Sequence, residues 1–137
     1  MGFELKEKVK HWLREWRYEF EDLGNEKLDS EDDYPDFAVK VAKKVMKGKG
    51  AMGILLCGAG VGMDIVANRF EGVFCGLGFS GQQIRLAKRD DNINCLALPA
   101  DFVSEEEAKG IVRVFLETQF SGGERYRRRI DNIEKSI

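Results

Sequence analysis

Histidine is almost absent from this chain. Its 137 residues include only His11, which excludes a histidine-built metal centre within one copy. Acid–base chemistry would fall to carboxylates, thiols, lysine, tyrosine or backbone groups. Cysteine is sparse too. Cys57, Cys75 and Cys95 are odd in number and lack CxxC spacing, so reduced thiols fit better than a disulfide framework or a zinc knuckle. No apolar run approaches the roughly 20 residues of a membrane span, and the charged N-terminus is unlike a signal peptide. A formal net charge of -2 leaves no basic excess for nucleic acid. These absences predict a soluble cytoplasmic protein with neither membrane nor nucleic-acid partners.

What is present suits a single domain over 1–137. The composition, 43% hydrophobic and 34% charged, can bury a core and stay soluble. Apolar residues at 5, 9, 12, 13 and 16 predict a first helix over Gly2–Glu15, with His11 off the stripe and on the surface. Arg17–Glu21 alternates with period two and predicts a short strand ending at Leu23-Gly24. Residues 25–33 are a polar, acidic loop. A second helix opens at Asp33-Tyr34-Pro35-Asp36, with Phe37, Ala38, Val41, Ala42, Val45 and Met46 as its buried stripe.

Met52–Cys57 is a continuous apolar run and reads as a strand buried on both faces. It leads into Gly58-Ala59-Gly60-Val61-Gly62 and a helix over Met63–Arg69. Next come a strand at Val73–Leu77, a helix at Gly81–Lys88, a polar loop at Arg89–Asn94 and a strand at Cys95–Leu98. Ser104 and Glu107 form a capping box for a helix through Glu117. Gly122-Gly123 separates it from a basic helix with sparse apolar contacts at Ile130, Ile133 and Ile137. Alternating helices and strands predict an α/β sandwich with a mainly parallel sheet.

Fifteen glycines, several of them clustered between 53 and 81, single out the Cys57–Gly62 loop. Glycines let a backbone turn several N–H groups toward one ligand, and the following helix adds the positive end of its dipole. Such a nest binds an anion or a developing oxyanion. Gly58-x-Gly60-x-Gly62 lacks the spacing of a dinucleotide fingerprint, and no GxxxxGK[ST] is present. Cys57 at its mouth is either a reactive thiol or a small apolar residue ending a strand. Arg125 and Arg129, four apart on one helix face, form either a phosphate grip or part of a solvated basic helix.

GFELKEKV (2–9), DYPDFA (33–38), GILLCGAGVGMDIVANR (53–69), the NxLAL of 94–98 and GGERYRRRI (122–130) together resemble the ribose-5-phosphate isomerase B family, which includes the galactose-6-phosphate isomerase subunits. The resemblance implies a flavodoxin-like three-layer sandwich with strand order 2-1-3-4-5. It also implies a homodimer or homotetramer with active sites between subunits, and aldose–ketose isomerisation of a sugar phosphate through a cis-enediolate, without metal or cofactor. By position, Cys57 would be the base, and Gly58, Ala59, Gly60, Val61 and Gly62 would hold the enediolate oxygens. Arg125 and Arg129 would bind phosphate, and Tyr34 would lie near the sugar. Asp90 stands where the family has its ring-opening histidine, followed by Asp91 and Asn94 as substrate-binding positions.

Other departures are visible. The family starts with a strand ending in Asp-His ahead of its GF segment, whereas this sequence starts Met1-Gly2-Phe3. The central strand of the sheet is thus expected to be missing, with Met1 an internal methionine. Ala59 replaces a usual hydroxyl residue, and Pro99 and Asp101 replace a glycine and an arginine. The alternative to catalysis is a member that binds a sugar phosphate or other anion without turning it over.

Overall fold

In the computed structural model, residues 2–24 and 34–135 are described, with side chains at 3–24 and 36–135. The acidic 25–33 loop and Ile137 fall outside them. Helix α1 (Gly2–Glu15) buries Leu5, Val9, Trp12 and Leu13 on one stripe, as their spacing requires. His11 is exposed and pairs with Glu15 at 3.0 Å.

The strand expected at 17–24 is not formed. A strand needs a ladder partner for its peptide groups, and none lies beside this segment among the described residues. Instead Asp22 anchors it to α1, with its carboxylate 3.1 Å from Lys6 and 3.0 Å from Lys10. Burial pushes the Asp22 carboxyl up, but the Gly24 N–H and the two ammonium groups more than offset this, leaving it below its usual range.

Helix α2 (Tyr34–Lys47) buries Ala38, Ala42 and Val45. Met46, expected in that stripe, is exposed, because it lies one position around the helix from Val45. Strand β1 (Gly53–Cys57), helix α3 (Val61–Ala67), strand β2 (Cys75–Leu77), helix α4 (Gly81–Asp91), strand β3 (Cys95–Pro99), helix α5 (Glu105–Glu117) and helix α6 (Glu124–Lys135) follow. Ser104 and Glu107 make the expected capping box at α5. Strand β2 begins two residues later than its pattern suggested. The Phe74 N–H goes to the Asn94 side chain and the Cys75 N–H to that of Asn68.

The sheet is parallel, in the order β1-β3-β2. This corrects the expected 3-4-5 succession, since the last strand lies between the other two. Burial explains why. All five residues of β3 are buried, which suits a strand with partners on both sides, while three-residue β2 is half-buried at an edge. Strand β1, expected to be buried on both faces, also has half-buried Ile54, Leu56 and Cys57. It is the other edge: its outer side carries no strand among the described residues.

Crossing from β1 out to β2 and back to β3 reverses direction. With right-handed connections this puts α3 and α4 on opposite faces. Two cores result, one joining α1, α4 and α5 around Ile84, Leu96, Leu98 and Phe115, the other joining α2 and α3 around Ala42, Met63 and Cys95. The architecture is the three-layer α/β sandwich, and every strand ends at the same edge of the sheet.

One cation sits in the first core. Lys88 is buried, with Nζ 5.0 Å from the Phe115 ring centroid and 3.5 Å from Met52 Sδ. Burial lowers its pKa from 10.5, so the fold disfavours the charge. Lys88→Met keeps the aliphatic stem and should raise stability by about 1 kcal/mol at neutral pH, read from thermal unfolding. As pH rises toward 10.5 the unfolded chain holds the proton longer than the folded one, so wild-type stability rises. The advantage of Lys88→Met should therefore shrink over that interval. A variant less stable than wild type at pH 7 contradicts this account.

Candidate active site

The glycine loop lies where the strands end. Cys57 closes β1 in register with Pro99, and its carbonyl accepts the Ala100 N–H at 2.8 Å. The Gly58 carbonyl accepts the Asp101 N–H at 3.0 Å. Gly60 then turns with φ of 79°. A Cβ there would meet Leu77 Cδ1 at 2.6 Å, the Pro99 nitrogen at 3.1 Å and the Leu98 carbonyl carbon at 3.3 Å. Both the left-handed backbone and the lack of space demand glycine. This turn aims the Gly60 N–H at Cys57 Sγ, 3.1 Å away.

Helix α3 starts directly after this turn, and no side chain caps it. The leading N–H groups of a helix have no partners within it. Gly60 offers no side-chain oxygen to take them, so they are open to water or a ligand. The site thus combines a half-buried thiol, a backbone donor on its sulfur and further donors alongside. Such a set can move a proton and steady an oxyanion.

The other thiols are placed differently. Cys75 and Cys95 are in register on adjacent strands, and Cys95 is fully buried. The hydrogen bond to Cys95, then burial, then the charges of Cys95 and Asp64 push the Cys75 thiol far above its usual range. Burial also raises the Asp64 carboxyl. Both cysteines belong to the core, as their strand positions suggested.

Several expected site residues do not meet Cys57 within one chain. Asp90 and Asp91, read from sequence as loop residues, are in the last turn of α4. That helix starts at the edge where β2 ends and runs back across the sheet. It therefore places both carboxylates at the edge opposite Cys57. Asn94 is occupied structurally: its Oδ1 accepts the Phe74 N–H and its Nδ2 donates to the Gly72 carbonyl, both at 2.9 Å. Tyr34 opens α2, but its side chain lies outside the described residues.

Arg125 and Arg129 share a face of α6, which leans on α4 and buries none of its own residues. Both guanidinium groups sit over the Tyr126 ring, at 5.1 and 5.7 Å from its centroid. Arg125 also donates to the Tyr126 hydroxyl at 3.0 Å. Sequence reasoning missed Tyr126 as the residue that holds the pair together. Its only signal was an aromatic between the two arginines.

Known proteins are similar to this chain in sequence and fold. The model of the ribose/galactose isomerase family matches residues 1–133. Ribose-5-phosphate isomerase B of Mycobacterium tuberculosis is 35% identical over 130 residues, covering 95% of this chain and 80% of that protein. The crystal structure of ribose-5-phosphate isomerase B from Mycoplasma genitalium with bound ribulose-5-phosphate superposes with a TM-score of 0.91 at 42% identity, covering 96% of this chain and 87% of that one. The Thermotoga maritima ribose 5-phosphate isomerase gives 0.92 at 44% identity, covering 98% and 91%. The match over residues 1–133 and these identities place this chain, an α/β sandwich with a glycine loop, in the ribose/galactose isomerase family.

Proposed function

We propose that this protein interconverts an aldose phosphate and its ketose isomer, ribose 5-phosphate and ribulose 5-phosphate or a related hexose 6-phosphate, with Cys57 as the base. The carrying observation is the Gly60 N–H on Cys57 Sγ beside the uncapped start of α3. In the open-chain aldose, the Cys57 thiolate takes the proton from C2. The C2–H electron pair becomes the C1–C2 double bond, and the charge moves to O1. The loop N–H groups of Gly58 to Gly62 steady this cis-enediolate. The thiol then returns its proton to C1, while the hydroxyl proton passes from O2 to O1. No electrons are gained or lost overall. Asp90 would open the sugar ring by accepting the anomeric hydroxyl proton as the bond from C1 to the ring oxygen breaks, and then passing that proton to the ring oxygen, which becomes a hydroxyl. Ribose 5-phosphate, allose 6-phosphate and galactose 6-phosphate assayed in parallel would test the activity and separate the substrates. Binding without turnover of any of them would favour an anion-binding role instead.

Two copies would complete the site. Asp90 lies away from Cys57 in one chain, and α6, which carries Arg125 and Arg129, buries no residue of its own. Val61, Ile65, Phe79 and Phe102 expose apolar surface around the loop end of the sheet, a pattern typical of an interface. A site shared by two subunits predicts complementation. Inactive Cys57→Ala mixed with inactive Arg125→Ala/Arg129→Ala should recover about a quarter of wild-type activity, since half the dimers are mixed and each has one intact site. Mixing after co-refolding with no recovery would place the thiol and the arginines in the same chain's site.

A further inference from the structure

We infer that Asp101 sets the direction in which a substrate enters, holding its hydroxyl-bearing end at the glycine loop and turning its phosphate away. This rests on the reading of Cys57 and its loop as the reacting site. A Cβ on Gly58 would lie 2.6 Å from Asp101 Oδ2 and 3.5 Å from its Cγ. The carboxylate therefore occupies the space left by the missing side chain, one residue from Cys57. Its backbone is held there, with the Asp101 N–H bonded to the Gly58 carbonyl at 3.0 Å and the Phe102 N–H to that of Pro99 at 2.9 Å.

No cation neutralises this group among the described residues, and Asp101 is exposed to whatever enters. An ionised carboxylate only accepts hydrogen bonds. It suits a sugar hydroxyl and repels a phosphate at short range. The backbone donors alone would attract either a phosphate or a carbonyl oxygen. Asp101 removes that ambiguity by electrostatic discrimination against the wrong end. Gly58 makes this possible, because a larger residue there would displace the carboxylate.

Alkylation of Cys57 tests this without requiring turnover. The rates with anionic iodoacetate and neutral iodoacetamide would be measured by mass spectrometry of the Cys57 peptide. Removing the charge in Asp101→Asn or Asp101→Ser should raise the iodoacetate-to-iodoacetamide ratio about three- to tenfold. Asp101→Glu should keep it near wild type. Raising salt should increase the wild-type ratio and leave that of Asp101→Asn nearly flat. Inorganic phosphate should slow alkylation in Asp101→Asn and not in wild type. A ratio unchanged by both neutral variants, with no salt effect in wild type, overturns the role of Asp101 even if isomerisation is demonstrated. If Cys57 resists both reagents in every variant, the accessible thiol site itself is overturned, and Asp101's role with it.

Discussion

Cys57→Ala is expected to lower kcat for ribose 5-phosphate by about three orders of magnitude, within the usual range for loss of a positioned base. The other thiols cannot take over. Cys95 is fully buried, and the proton on Cys75 is held by Cys95, by burial and by nearby negative charge. No imidazole is available either, since His11 is exposed on α1 and paired with Glu15. The readouts are formation of ribulose 5-phosphate and, in heavy water, deuterium uptake at C2. The second isolates the proton-transfer step. Substrate binding should persist, because the backbone donors of the loop remain. Activity within tenfold of wild type would remove Cys57 from the role of base. Loss of turnover with unchanged deuterium exchange would place the thiol after proton abstraction.

Gly60→Ala is expected to damage both stability and activity. A non-glycine residue in the left-handed region costs about 1–2 kcal/mol. The added methyl would also press on Leu77 Cδ1, the Pro99 nitrogen and the Leu98 carbonyl carbon. Leucine can adjust, but β3 is the buried central strand and its backbone cannot. Overpacking of this kind adds about 1–3 kcal/mol. Together they predict a loss of roughly 2–5 kcal/mol in denaturant unfolding. Relieving the contact would shift the Gly60 N–H away from Cys57 Sγ, so kcat should fall even where the variant folds. Gly50 and Gly72 also have positive φ but have nothing near an added Cβ. Gly72→Ala should therefore cost only the conformational part. Equal losses at positions 60 and 72 would show that close packing against β3 contributes nothing.

Much of the local structure was legible from residue spacing. The stripe of Leu5, Val9, Trp12 and Leu13 gives α1 its limits, and Ser104 with Glu107 starts α5. The apolar run to Cys57 followed by glycines marked the site without reference to any fold. The errors have a shared origin. Arg17–Glu21 alternates as a strand would, but alternation describes one segment and a ladder needs two. Asp90 and Asp91 looked like part of a polar loop, yet α4 continues through Asp91.

By itself the sequence determined most of the element types, the thiol on a glycine loop and the scarcity of histidine. These are local properties, set by period, cap chemistry and residue type. Only the tertiary structure decided that β3 lies between β1 and β2. It also decided that Asp90, at the far end of α4, leaves Cys57 within one chain, and that the Asp101 carboxylate leans over Gly58. Strand order follows from burying the most apolar strand on both edges and faces. Helix direction follows from returning across the sheet. Both depend on contacts between residues far apart in the chain, which no local pattern records.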